Sequence, residues 1–145
     1  MTTVTPRHVG YAIAQLIPRI MQGIQLDFFV RRGVTQTQLL VTLAIHAYGR
    51  CSMTMLATSM HVRMPTATGI VDRLVRLGFV RRLPDAADRR QVLVEVTAKG
   101  KEFIRAFEGV IRRRWEEVLK SLTPTELASF HQVLTRLNQQ LQSHD

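Results

Sequence analysis

The sequence predicts a mainly α-helical chain interrupted by one short β-hairpin. Two observations carry this reading. Apolar residues recur at helical spacing through six stretches bracketed by cap and stop residues, and clear alternation occurs only near Val92, Val94 and Val96. With 145 residues and 46% hydrophobic content, the chain suits a single domain that buries a sizeable core without disulfide or metal staples.

Taken in order, Val9, Ile13, Leu16, Ile17, Ile20 and Ile24 mark a first helix, with Phe28 extending the stripe and Gly33 ending it. Pro18 lies inside that pattern, so the helix is expected to kink there or to restart with Pro18 in its first turn. Thr35 opens a capping box with Gln38, and Leu39, Leu40, Leu43 and Ala47 carry a second helix to Gly49. Ser52 caps a short third helix, 53 to about 60, with Leu56 and Ala57 inward. Met53, Met55, Met60 and Met64 read as a pliable core around it. A tight connection through His61, Val62 and Arg63 leads to a fourth helix. Pro65 sits in its first turn, Ile70, Val71, Leu74 and Leu77 form its apolar face, and Gly78 stops it. Two β-like runs, 79–83 and 91–96, flank the turn residues Pro84, Asp85, Ala86, Ala87 and Asp88, which makes a hairpin.

Thr97 can cap a fifth helix reaching about residue 121, with Phe103, Phe107, Val110, Ile111, Trp115 and Val118 on its buried side. Thr123, Pro124 and Glu126 start a last helix, in which Leu127, Phe130, Leu134, Leu137 and Leu141 stand at spacings of 3, 4, 3 and 4. That narrow stripe is the pattern of a helix–helix seam. Left exposed on a monomer it would promote aggregation, so the chain is expected to pair with itself.

Charge is distributed unevenly. Lys and Arg total 20 against 11 Asp and Glu, for a net +9. Residues 1–60 carry +4, residues 61–101 carry +5 with nine basic side chains, and residues 102–145 sum to zero. The first two thirds therefore suit a polyanion. Only Lys99, Lys101 and Lys120 are lysines, and the arginine fork suits phosphate and base edges better than an ammonium does.

Other classes find little support. A lone cysteine, Cys51, cannot form an internal bridge and reads as a plain small side chain. The opening residues lack a signal-peptide core, and the longest apolar stretch, 39–45, falls far short of the ~20 residues of a membrane span. A cytoplasmic protein with no membrane association is expected. The histidines at 8, 46, 61, 131 and 144 show no metal-ligand spacing with one another or with Cys51. No Gly-rich phosphate loop, nucleophile elbow or spaced carboxylate pair is present. Neither catalysis, a cofactor nor a bound metal is expected.

The central order of short helix, tight turn, longer helix and basic hairpin is that of a helix-turn-helix with a wing. Such a pair presents the second helix's leading end to the DNA major groove while the first braces it. Thr66, Ala67, Thr68 and Gly69 are small enough to approach base edges and thymine methyls, with Arg63 and Arg73 flanking them. The competing reading is a winged-helix protein-interaction module that binds no DNA.

The colinear fragments sharpen the choice. Leu56-Ala57, the run from Thr66 to Asp72-Arg73-Leu74, Gly78, Asp88-Arg89-Arg90 and Thr97-Ala98-Lys99-Gly100 resemble the MarR-type winged helix-turn-helix transcriptional regulators, from about residue 35 to 101. The resemblance implies a winged lobe at about 35–100 on a helical dimerisation region at about 5–32 and 101–145. It further implies a homodimer that binds a pseudo-palindromic, double-stranded DNA operator as a ligand-responsive repressor, with a small aromatic or phenolic effector. By the same resemblance Arg89 enters the minor groove, while Asp88 and Arg90 shape the loop or grip the backbone. The alternation of the wing strand places Arg90 to pair with Asp88 or Asp85 across the turn. Tyr11, His46 and Tyr48 are candidates to line an effector cavity. Two features depart from the family pattern: Arg63 stands where a Ser or Thr usually caps the recognition helix, and Pro18 interrupts the first helix.

Overall fold

The structure, a computed structural model, describes residues 3–22 and 24–142, without the side chains of 25 and 26. His144 and the last three residues of the 101–145 segment lie outside the described residues. Among the described residues, seven helices and three strands follow in the order α1 (Pro6–Gln22), α2 (Gln25–Arg32), α3 (Gln36–Tyr48), β1 (Arg50–Ser52), α4 (Met53–Ser59), α5 (Met64–Arg76), β2 (Val80–Pro84), β3 (Val92–Val96), α6 (Ala98–Leu119) and α7 (Pro124–Gln142). The chain divides into two compact units, Met1–Val110 and Ile111–Asp145.

The first unit owns a closed core. Ile45, Leu56, Leu74, Val41, Val71, Val80 and Val94 are fully buried at the meeting of α3, α4, α5 and the sheet. Buried Thr42 is satisfied locally, its Oγ1 donating to the Gln38 carbonyl at 2.7 Å. An aromatic cluster extends the core: Phe79 stacks on Phe103 at 4.5 Å, Phe103 on Phe28 at 5.6 Å, and Phe107 meets Phe28 edge-on. The Arg32 guanidinium covers the Phe28 ring at 4.2 Å.

Local chemistry explains the boundaries. Thr35 and Gln38 form the expected reciprocal capping box, and Ser52 Oγ accepts from the Met55 N–H at 3.1 Å to cap α4. The sheet runs antiparallel in the order β1-β3-β2, pairing Arg50 with Glu95 and Arg81 with Glu95. Strand β1 was not anticipated, because three residues cannot display an alternation. Gly100 fixes where α6 begins. A Cβ there would fall 2.1 Å from the Phe79 carbonyl oxygen and 2.6 Å from Val96 Cγ1. Thr97 closes the same junction: its Oγ1 donates to the Gly78 carbonyl and accepts from the Gly100 N–H.

Two expectations are corrected here. Of the two outcomes expected at Pro18, the restart is not the one found; α1 continues through it to Gln22, and α2 starts at Gln25. A proline four residues from a helix end removes one ladder bond but leaves little helix beyond it to disrupt. The methionines do not form a core either: Met55 and Met64 are exposed, and Met53 and Met60 half-buried.

The second unit holds the last part of α6, from Ile111, and α7. Thr123 and Glu126 cap α7 reciprocally, with the Glu126 carboxylate accepting from the Thr123 N–H at 2.8 Å. These bonds hold the Glu126 carboxyl below the usual range. No residue of α7 is buried, and Leu127, Phe130, Val133, Leu134, Leu137 and Leu141 are exposed. In the first unit, α1 likewise exposes Val9, Tyr11, Ile13, Leu16 and Ile17, burying only Ile20. No helix among the described residues is long and apolar enough to cross a membrane.

Candidate nucleic-acid interface

Helices α4 and α5 are joined by a turn in which His61 adopts φ 52°, a left-handed conformation that non-glycine residues seldom take. The turn leads into α5, which packs one face on the core and leaves the other exposed. At about 100° per residue, α5 presents distinct faces. Ala67, Val71 and Leu74 are its buried side. Pro65, Gly69, Asp72 and Arg76 form the opposite, outward ridge, with Thr66 and Arg73 along one flank and Thr68 and Met64 along the other.

This geometry separates the residues singled out from the sequence. Thr66, Thr68, Gly69, Arg63 and Arg73 are all exposed, but the two threonines lie on opposite flanks. Ala67 is fully buried, so its methyl packs inside the lobe and cannot meet a base. Its small size reflects close packing. Sequence reasoning missed Pro65 and Arg76 on the ridge, although their spacing of four and seven from Gly69 and from it the helical period carried the signal. Arg63 occupies the N-cap position without a side-chain cap bond, as its chemistry dictates; its carbonyl accepts from the Thr66 and Ala67 N–H groups.

The wing is held by its carboxylates. Asp85 Oδ1 accepts from the Ala87 N–H at 2.9 Å, and Asp88 Oδ1 from the Arg90 N–H at 3.0 Å. The Asp88 carbonyl accepts from the Gln91 N–H, and the Gln91 carbonyl from the Asp85 N–H. Asp88 therefore shapes the loop through backbone groups. The expected pairing of the Arg90 guanidinium with Asp85 or Asp88 is not made; one oxygen of each carboxylate accepts from a main-chain N–H, and Asp88 Oδ2 accepts from the Gln91 side-chain amide at 3.5 Å. Arg89 and Arg90 are both exposed.

The arginines fall into two sets. Arg82 on β2 binds Asp72 on α5 at 2.6 Å and ties the wing strand to the helix. Arg50 and Arg81 grip Glu95 from the two neighbouring strands and hold its carboxyl below the usual range. By contrast Arg63, Arg73, Arg89 and Arg90 make no ion pair among the described residues. Their charges face solvent on the helix, its leading edge and the wing.

His46 lines a cleft of about 510 Å³ with Gly49, Arg81, Glu95, Thr97 and Lys101. Tyr48 and Tyr11 do not line it, and both are exposed. Cys51, on strand β1, is buried, and burial pushes its thiol up, away from a reactive thiolate. No group of three His, Cys, Asp or Glu among the described residues could hold a metal ion.

Residues 34–92, which carry the helix-turn-helix and most of the wing, match the model of the MarR family. A solved structure of the multiple antibiotic resistance repressor MarR is 25% identical, with a TM-score of 0.69 over 93% of this chain and 96% of that one. The segment 34–92 belongs to the MarR family. Its members are winged helix-turn-helix, DNA-binding transcriptional regulators and not enzymes. Among MarR-like relatives, the transcriptional repressor YetL of Bacillus subtilis is 32% identical over 93 residues, covering 63% of this chain and 56% of that protein. The fold is also that of Streptococcus pneumoniae FabT, solved in complex with DNA, at 17% identity and a TM-score of 0.65 over 97% of this chain and all of that one.

Proposed function

We propose that this chain acts as a homodimeric, ligand-responsive repressor on a pseudo-palindromic operator, each winged lobe contacting one half-site. The observation that carries the reading is the set of arginines without an ion pair on the recognition helix and wing, Arg63, Arg73, Arg76, Arg89 and Arg90, while Arg50, Arg81 and Arg82 are held in ion pairs. Cations without an ion pair need break none to turn toward phosphate, where they release its counterions. Thr66, Thr68 and Gly69 supply the surface that meets base edges. Arg89 enters the minor groove, and Asp85 and Asp88 keep the loop in shape.

Residues 35–100 then form the DNA-binding lobe, and 5–32 with 101–145 the dimerisation region. The uncovered apolar stripes of α1 and α7 support that division. Binding of DNA by FabT and the repressor role of YetL are consistent with it. The effector is a small aromatic or phenolic compound; of Tyr11, His46 and Tyr48, His46 lines the cleft beside Glu95 and Lys101, and the two tyrosines do not line that cleft.

The test is binding of the full chain to duplex DNA at several salt concentrations. A dimer neutralising about 6–10 phosphates gives a steep fall of log K with log salt. A slope near zero would return the lobe to the class of protein-interaction modules.

A further inference from the structure

The cleft of about 510 Å³ beside His46 has no part in holding the wing or the recognition helix. It opens on the face of the sheet turned away from α5. Successive side chains of a strand point to opposite faces. On β2, Arg82 reaches Asp72 on α5, whereas Arg81 turns the other way and meets Glu95. Arg81 and Glu95 line the cleft together with the end of α3 and the start of α6, so it is separate from the surface offered to DNA.

Its charges do not balance. Glu95 is the one carboxylate lining it among the described residues, and two guanidiniums, Arg50 and Arg81, already bind that carboxylate. The side chains of Lys101 and His46 also line the cleft, and among the described residues neither makes a hydrogen bond or an ion pair. The cleft thus holds an ammonium and an imidazole with no anion of their own. It lies at the start of α6, where a negative group is favoured and where the first turn supplies no acidic residue. The rest of the lining, Gly49, Val96 and Ala98, has no polar side chain. A space of this size, part apolar with a few polar groups, is that of a small-molecule site.

We propose that this cleft binds a small organic acid, its carboxylate paired with Lys101 and hydrogen-bonded by His46, its carbon body against Gly49, Val96 and Ala98. The single ammonium without a partner matches a monoanion, and the apolar lining suits a carbon body, which inorganic phosphate lacks. This rests on the effector reading and gives the effector a charge and a place.

The experiment titrates the full-length protein with benzoate and hexanoate, with their uncharged counterparts benzamide and hexanamide, and with inorganic phosphate, following the backbone N–H signals by NMR. Both acids should shift the signals of Gly49, Ala98 and Lys101 at concentrations where benzamide and hexanamide do not. Lys101→Gln should weaken both acids about tenfold, the loss of one charge-assisted hydrogen bond. Lys101 is exposed, so the variant should otherwise keep the wild-type spectrum. The site is overturned if neither acid shifts those signals, if the uncharged compounds bind as well as the acids, if Lys101→Gln binds the acids as the wild type does, or if phosphate alone binds. A second arm measures duplex DNA binding with and without saturating benzoate. An acid that fills the cleft and leaves DNA affinity unchanged keeps the site and overturns the effector reading; salt-dependent DNA binding by a protein whose cleft takes no acid does the reverse to the site and keeps the DNA reading.

Discussion

The first unit and the second use apolar residues in opposite ways. In the first, α3, α4, α5 and the sheet share a core in which Val41, Ile45, Leu56, Val71, Leu74, Val80 and Val94 are fully buried, and close approaches such as Gly100 against Phe79 leave no slack. In the second, α7 has an apolar stripe just as regular, yet none of its residues is buried. Periodicity reports that a face is apolar; it does not report whether the chain itself supplies the cover. The lobe is complete as one copy, whereas α7 calls for a second.

The largest expected effect lies on the second unit. Deleting residues 123–145 should abolish tight operator binding and give a monomer or aggregate by size-exclusion chromatography, with the stripe on α1 left exposed. A soluble truncated chain that binds DNA as tightly as the wild type would break the comparison. Next comes the tightest approach within the lobe. Gly100→Ala forces a methyl onto the Phe79 carbonyl and should cost about 3 kcal/mol or prevent folding, read by urea denaturation. Equal stability would show that the α6 junction has room.

The wing separates folding from binding. Arg89→Ala should change stability by no more than about 0.5 kcal/mol, yet cost about 1–3 kcal/mol per lobe in operator binding. Asp88→Ala, which removes the acceptor of the Arg90 N–H, should speed amide exchange across the wing in the free protein. Arg90→Ala should leave that exchange unchanged, because its guanidinium bonds neither aspartate. A loosened wing in Arg90→Ala would contradict this.

The smallest effect concerns pH. Glu95 is held below its ordinary value of 4.5 by hydrogen bonds from Arg50 and Arg81. A carboxyl depressed in the folded state contributes stability that is present above its unfolded value and is lost as pH falls through the folded one. Glu95→Gln should therefore destabilise at neutral pH and flatten the loss of stability below pH about 4.5. An acid limb identical to the wild type would remove the Arg50–Glu95–Arg81 ladder from the account.

Much of the fold was legible in the chain, because its signals are local. Thr35 with Gln38, Ser52, Thr97, and Thr123 with Glu126 announce helix starts through bonds that span only three residues. What was not legible depends on partners distant in sequence. Strand β1 exists because β3 pairs with it, and Arg50 finds Glu95 across 45 residues. The same limit applies to the interface. The exposed positions of Thr66, Thr68, Gly69 and Arg73 follow from helical spacing, but the burial of Ala67 depends on what packs beneath α5. For Arg90, the nearby carboxylates suggested an ion pair, and only the folded turn reveals that they bond backbone N–H groups and not its guanidinium.

The contrast between a self-sufficient lobe and a helix awaiting its cover is tested most directly by sedimentation equilibrium of the full chain, alone and as Leu134→Asp with Leu137→Asp. Both leucines are exposed on α7, so neither substitution disturbs a buried contact within one copy. The account predicts a dimer for the wild type down to nanomolar protein and a monomer for the double variant, with its winged lobe still folded. A wild-type chain that sediments as a soluble monomer at micromolar concentration would contradict it.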